Sequence, residues 1–445
     1  MTIRARSLLN NALTSLAASG ILIFSTVLIP AILVRGISRG NYDLLSIVLA
    51  ALPPLLIIPQ SLRSAAASQL ALAFGKGDER AAIRTYFHFT LRVAILLAIA
   101  ALVGIELYLL TLSQKVESIS LLRLGLYCMA GHALGILAVG AFTGPASAHR
   151  DFLPDNIAKL WPGLFHLAGI ATVWLTTPDH PLVWIFAVHL ASSWSVALLL
   201  AVRLAKPLHL TLTTAVPHDG EAERAFWSGL RGSAWWNLTA YLATTAAVLV
   251  VAVTHPSAIV PFSIAISVLG IMSAALIAVA SPISGHAADL LRRPTNESRR
   301  FFLRVNTLFQ LYVLGSMILL SLLPQQLLSL WLGPGLADEV RHYMMLLLPS
   351  YALRLLSMAF TVFVMSAGRQ HTLWLSPMVE AVLAAGGCLL LSQVMGVIGV
   401  PVALAVSSMA RLLLTATYDE RLNAADLRLC RGDILLSGFR IARAP

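Results

Sequence analysis

Three charged side chains stand inside apolar stretches where a charge is costly: Arg63, Arg354 and Glu380. At mid-bilayer such a group costs about 2.5–3.5 kcal/mol on insertion scales, so its presence asks for a reason. A guanidinium grips phosphate oxygens with two parallel donors and keeps its proton. Two guanidiniums in one cavity would suit an anionic group such as a phosphate or pyrophosphate. A lone carboxylate in an apolar setting suits the binding of a proton or cation. The expectation is that Arg63 and Arg354 hold an anion and that Glu380 senses a driving ion, H+ or Na+. Plainer alternatives stay open. Arg63 could stretch its stem towards the membrane surface, and Glu380 could pair with a neighbouring arginine that ties helices together. His132, with His166 and His189, lies inside a span and is a candidate for a proton relay; interhelical hydrogen bonding is its alternative role.

The elements that must position these side chains are membrane helices. Of the 445 residues, 58% are hydrophobic and only 11% charged, with a mean hydropathy of +0.82. So few charges cannot solvate a water-soluble domain, whereas a helix bundle in lipid needs few. A span takes roughly 20 apolar residues. Twelve such stretches follow one another, at about 10–34, 44–72, 86–110, 120–143, 157–176, 182–202, 231–254, 258–284, 303–323, 343–365, 374–395 and 397–417. On these boundaries Arg354 lies about 11 residues, or roughly 16 Å, into the tenth span, and Glu380 about six residues, or roughly 9 Å, into the eleventh. Pro59, Pro349 and Pro377 each lie within five residues of one of the three charges, where a proline would bend the helix.

Basic residues fall in alternate gaps. With the N-terminus in the cytoplasm, 24 of the 31 Lys and Arg lie on the cytoplasmic side, five outside (Arg35, Arg39, Lys115, Arg123, Arg341) and two, Arg63 and Arg354, within spans. The positive-inside rule then places both termini in the cytoplasm, with an even helix count. The net charge of +11 reflects insertion and contact with anionic lipid; no long basic block points to nucleic acid. The first apolar run continues to Val34, too long for a cleaved signal, and reads as an uncleaved span. Cys128, Cys388 and Cys430 have no metal-ligand spacing, and no metal or other cofactor is expected. The chain lacks a Gly-Lys-Ser/Thr phosphate loop. External loops are too short to hold an enzyme's active site.

The organisation expected is a six-helix lobe at 1–206, a cytoplasmic loop at 207–230, a second six-helix lobe at 231–417 and a cytoplasmic tail at 418–445. A faint repeat supports two halves. Gly77-Asp78-Glu79-Arg80 leads into the third span and Thr295-Asn296-Glu297-Ser298-Arg299-Arg300 into the ninth, 218 residues later. Two such halves are the layout of a transporter built from structural repeats. The charges break the repeat: Arg63 maps onto Ser281, and Arg354 onto Ile136.

Several stretches resemble one family. They are Arg39-Gly40-Asn41-Tyr42-Asp43-Leu44, Ser64-Ala65-Ala66-Ala67-Ser68, Gly75-Lys76-Gly77-Asp78-Glu79, Leu328-Ser329-Leu330-Trp331-Leu332-Gly333 and Ala367-Gly368-Arg369. Together they resemble the Wzx-type polysaccharide and O-antigen flippases of the multidrug/oligosaccharidyl-lipid/polysaccharide (MOP) superfamily. The resemblance implies an all-α polytopic fold of about 12 transmembrane helices in two MATE-like lobes around a central cavity. It implies transfer of an undecaprenyl-pyrophosphate-linked oligosaccharide across the bacterial inner membrane, driven by an ion gradient. Expected partners are that polyprenyl-linked oligosaccharide, membrane lipid and the polysaccharide polymerase or export machinery, with the chain itself a monomer. An ion-coupled exporter of drugs or other small molecules is the alternative within the superfamily. Its usual coupling acid in the first or seventh span is missing here, since 10–34 and 231–254 hold no Asp or Glu. A membrane polymerase or transferase is a more distant reading.

Overall fold

A computed structural model describes residues 14–422, apart from parts of the first span (15–16, 19, 22–23, 26–27, 30–31 and 34) and the segments 75–78, 113–117, 150, 152, 206–219, 292–295 and 367–374. The motif residues at 75–78 and 367–369, Thr295, the polar stretch at 206–219 and the tail from 423, with Cys430, therefore lie outside the described residues.

The described residues are nearly all helical, as lipid requires of a chain whose backbone groups must be paired within each segment. After helical residues between 14 and 36 come α1 (Arg39–Phe74), α2 (Glu79–Leu112), α3 (Ile119–Ala148), α4 (Leu153–Thr176), α5 (Pro181–Leu204) and α6 (Gly220–Thr254). There follow α7 (Ile259–Leu291), α8 (Asn296–Ser321), a short α9 (Gln325–Leu332), α10 (Pro334–Leu356), α11 (Met358–Ser366), α12 (Leu375–Met395) and α13 (Gly399–Leu422). Eight stretches of the described residues are long and apolar enough to cross a membrane. The order matches the predicted spans, with two differences. The tenth span is two helices, broken at Ser357 rather than bent only at Pro349. Here the Ser357 hydroxyl donates to the Arg354 carbonyl at 3.2 Å, and the Thr361 hydroxyl to the Ser357 carbonyl at 3.1 Å. Such side-chain bonds compete with the helix ladder.

The second difference concerns the middle of the chain. Two compact units are present, one of residues 24–238 and the other of 1–23 with 239–445. The division runs through α6, whose first residue, Gly220, lies within the stretch 207–230. The cause is local packing. From Gly220 onwards that stretch is helix, and Phe226 and Leu230 are buried in it. Phe226 lies 5.4 Å from the Tyr86 ring and 5.7 Å from Phe89, in a core shared with Leu62, Ala66, Leu70 and Leu137. Burying two large apolar side chains is worth about 3–6 kcal/mol, which favours helix over linker.

Within the unit 24–238, α3 is the central element, packed on both α1 and α5. Small residues let the backbones approach. A Cβ on Gly144 would sit 2.9 Å from Ala66, and one on Gly125 would sit 2.6 Å from Phe186. By contrast α2 exposes Leu91, Ile95, Ile99, Leu102 and Leu110, a surface suited to lipid. In the other unit α13 packs against both α10 and α12, and this brings three charged residues together.

Candidate functional site

In the unit 24–238, Arg63 lies on α1, 11 residues before its end at Phe74. Its guanidinium pairs with the carboxylate of Asp155, in the first turn of α4. An acid is favoured there by the helix dipole. Lys159, one turn along the same helix, reaches the other carboxylate oxygen at 2.8 Å. The side chain of Asp155 is 10% exposed, against 33% for Arg63 and 21% for Lys159. Beside them Tyr86, fully buried, donates its hydroxyl to the Gly140 carbonyl at 3.1 Å.

The second ion cluster centres on Glu380, six residues into α12 and 1% exposed. Arg411 of α13, itself buried, places Nη1 2.6 Å from Glu380 Oε2. Arg354, in the last turn of α10, has Nε 3.6 Å from Oε1 and a side chain 19% exposed. The Ser408 hydroxyl donates to Oε1 at 3.4 Å.

Among the described residues each cluster thus holds one acid between two cations and carries a formal charge of about +1 at neutral pH. Arg63 and Arg354 belong to different units, and each has its own acid. Arg354 and Glu380 are brought together, in the ion pair that was one of the two readings of Glu380. Sequence reasoning missed Asp155, Lys159 and Arg411. By sequence Arg411 falls among the 24 cytoplasmic basic residues, at the end of the last apolar stretch, yet it lies 12 residues, about 18 Å, beyond the start of α13. The signal that could have found it is its spacing from Ser407 and Ser408, one helical turn earlier. For Asp155 and Lys159 the signal is the i, i+4 spacing just after a helix-starting Pro154.

The acids, unlike Arg63 and Arg354, stand at comparable places in the two halves. Asp155 stands near the start of the fifth span and Glu380 near the start of the eleventh, the fifth of the second six. They are 225 residues apart, close to the 218 of the loop motifs. Only the cations differ in origin.

His132 is buried on α3, its Nδ1 2.7 Å from the His189 carbonyl on α5. His166 on α4 meets the Ser192 hydroxyl at 2.9 Å. Among the described residues no group of His, Cys, Asp and Glu is arranged to hold a metal ion.

No family model matches the sequence, and no curated protein matches it. Solved structures do match in fold. A multidrug-resistance MATE transporter of the MOP superfamily in its inward-facing conformation superimposes with a TM-score of 0.75 at 13% identity, covering 93% of this chain and 98% of that one. A MOP-superfamily transporter from Pyrococcus furiosus, described as having a binding pocket of reversed polarity that suggests a different function, gives 0.76 at 13% identity, with 94% and 95% covered. A MATE structure in complex with MaL6 gives 0.77 at 14% identity, with 94% and 96% covered. These likenesses extend over almost the whole of every chain compared, and this chain has the fold of the MATE transporters of the MOP superfamily.

Proposed function

We propose that this chain is a flippase. It moves a lipid-linked oligosaccharide, anchored through an undecaprenyl pyrophosphate, across a bacterial inner membrane by alternating access, for surface or exported polysaccharide. The observation that carries the reading is the charge of the two clusters: in each, cations outnumber the acid two to one inside a membrane fold. A cluster with excess positive charge can hold pyrophosphate oxygens and still keep its own acid paired. Arg63 and Arg354 are the more exposed cations of their clusters, and each is the group of its cluster that can contact such an anion. Glu380 keeps Arg411 and Arg354 in place; neutralising it would remove the carboxylate that both guanidiniums face. H+ or Na+ supplies the driving force, and the polymerase or export machinery receives the product.

The MATE fold itself favours a second reading, an ion-coupled exporter of drugs or small molecules. Against it stands the absence of any Asp or Glu from 10–34 and 231–254. One experiment separates the two. Deletion of the gene should abolish one surface glycan, with its lipid-linked units accumulating on the cytoplasmic leaflet. Normal glycan with drug hypersensitivity would establish the exporter instead. The variant R354A should abolish flipping at unchanged membrane levels, because Arg411 still pairs with Glu380. Full flipping by R354A would remove the anion role.

A further inference from the structure

The three histidines take no part in anion binding, yet they converge from three helices. His132 comes from α3, His166 from α4 and His189 from α5. Their ring centroids are 4.3 Å apart for His166 and His189, 6.0 Å for His132 and His189, and 6.2 Å for His132 and His166.

Hydrogen bonds fix where their protons sit. His132 Nδ1 faces the His189 carbonyl at 2.7 Å. A carbonyl only accepts, so Nδ1 carries the hydrogen and Nε2 of the neutral ring keeps a bare lone pair. The Ser192 hydroxyl donates to the same carbonyl at 2.7 Å. Its oxygen must then accept from His166 Nε2 at 2.9 Å, which leaves His166 Nδ1 bare. His189 Nδ1 is buried and has no hydrogen-bond partner. Buried polar atoms are nearly always paired, so the bare His189 Nδ1 calls for an explanation.

No opposite charge accounts for it. Among the described residues, the titratable groups acting on His166 and His189 are the other rings of the cluster alone, and none acts on His132. The nearest titratable side chains along the same helices are Cys128, one turn before His132, and Lys159, which is committed to Asp155. On the helices packed against α3, Arg63 of α1 pairs with Asp155, and Glu106 of α2 with Arg123 and Tyr127.

We propose that the His132–His166–His189 cluster binds one proton, shared among the three rings, and is the site of the coupling proton. The proton adds to a bare ring nitrogen, no bond breaks, and the cluster gains one positive charge. A second proton is repelled, because like charges this close in an apolar setting interact strongly and no carboxylate offsets them. The word coupling rests on the transport reading; the binding of the proton does not.

The test is proton uptake by the full chain in liposomes between about pH 8 and about pH 4, a range carried below that of free histidine because burial disfavours the charged ring. Wild type is compared with the triple variant H132N/H166Q/H189Q. Asn at 132 preserves the Nδ1-like donor to the His189 carbonyl, and Gln at 166 the Nε2-like donor to Ser192, so the interhelical bonds survive. The triple variant should take up one proton fewer per chain. A deficit of none, or of two or three, overturns the proposal. Should the triple variant fail to fold, side-chain nitrogen NMR of histidine-labelled wild type reads the same quantity. The charged fractions of the three rings should sum to one, and a sum of none or of two or three overturns it. Neither measurement uses a transport substrate. A chain that binds the proton but flips no lipid-linked glycan refutes the flippase alone; one that flips without the proton deficit refutes this site alone.

Discussion

The two ion clusters have the same formula and opposite settings. Around Asp155 the cations are partly exposed, and the acid stands in the first turn of its helix, where the dipole already supports it. Around Glu380 the acid and Arg411 are sealed, and three separate helices meet at the carboxylate. A sealed pair gains from strong attraction but depends on every partner, since breaking it strands a buried charge. A half-open pair is weaker and easier to exchange for a ligand. The contrast implies that loss of the acid should weigh more on stability in the sealed cluster than in the half-open one.

Removing the sealed acid should therefore have the largest effect. E380Q should lower stability by about 3–5 kcal/mol, the cost of stranding a buried partner, read as a fall in thermal midpoint and in folded yield. The double variant E380Q/R411Q should recover part of that loss, because the two residues act on each other and their effects do not add. A double variant as unstable as the sum of the singles would mean that the pair is not the unit that matters. D155N should cost less, about 1–2 kcal/mol, because the freed Arg63 and Lys159 can still reach water. It should also tighten binding of inorganic pyrophosphate, measured by calorimetry on the purified chain. A D155N cost equal to that of E380Q would erase the contrast between the clusters.

The difference between the clusters also explains what could be read from sequence. Helix positions were legible because roughly 20 apolar residues in a row have few other uses, and Arg63, Arg354 and Glu380 stood out as charges against that background. Their partners did not stand out. Arg411 hides near the end of a span among basic residues that insertion already explains, and Asp155 looks like an ordinary helix-start acid. Pairing across helices depends on which faces meet, and apolar periodicity is weak when a helix is apolar all round. The break at Ser357 was hidden for another reason: Pro349 offers the stronger sequence signal, while the break arises from hydroxyls bonding to the backbone. The start of α6 at Gly220 was hidden by its charged first turn, Glu221 and Glu223, which reads as loop until Phe226 is seen to pack.

The smallest effect should come from Ser408, the remaining contact on Glu380. Its hydroxyl lies 3.4 Å from Oε1, the same oxygen that faces Arg354 Nε at 3.6 Å. Both contacts are long beside the 2.6 Å bond from Arg411, and hydrogen-bond energy falls steeply with distance and misalignment. Replacing the hydroxyl leaves every charge paired, so no buried ion is stranded. S408A should cost about 0.5–1 kcal/mol and leave flipping unchanged, as measured by thermal midpoint and leaflet distribution of the lipid-linked units. A loss as large as that of E380Q would show that the cluster is held by its hydroxyl network and not by its charges, and the contrast between a sealed and a half-open ion cluster would lose its basis.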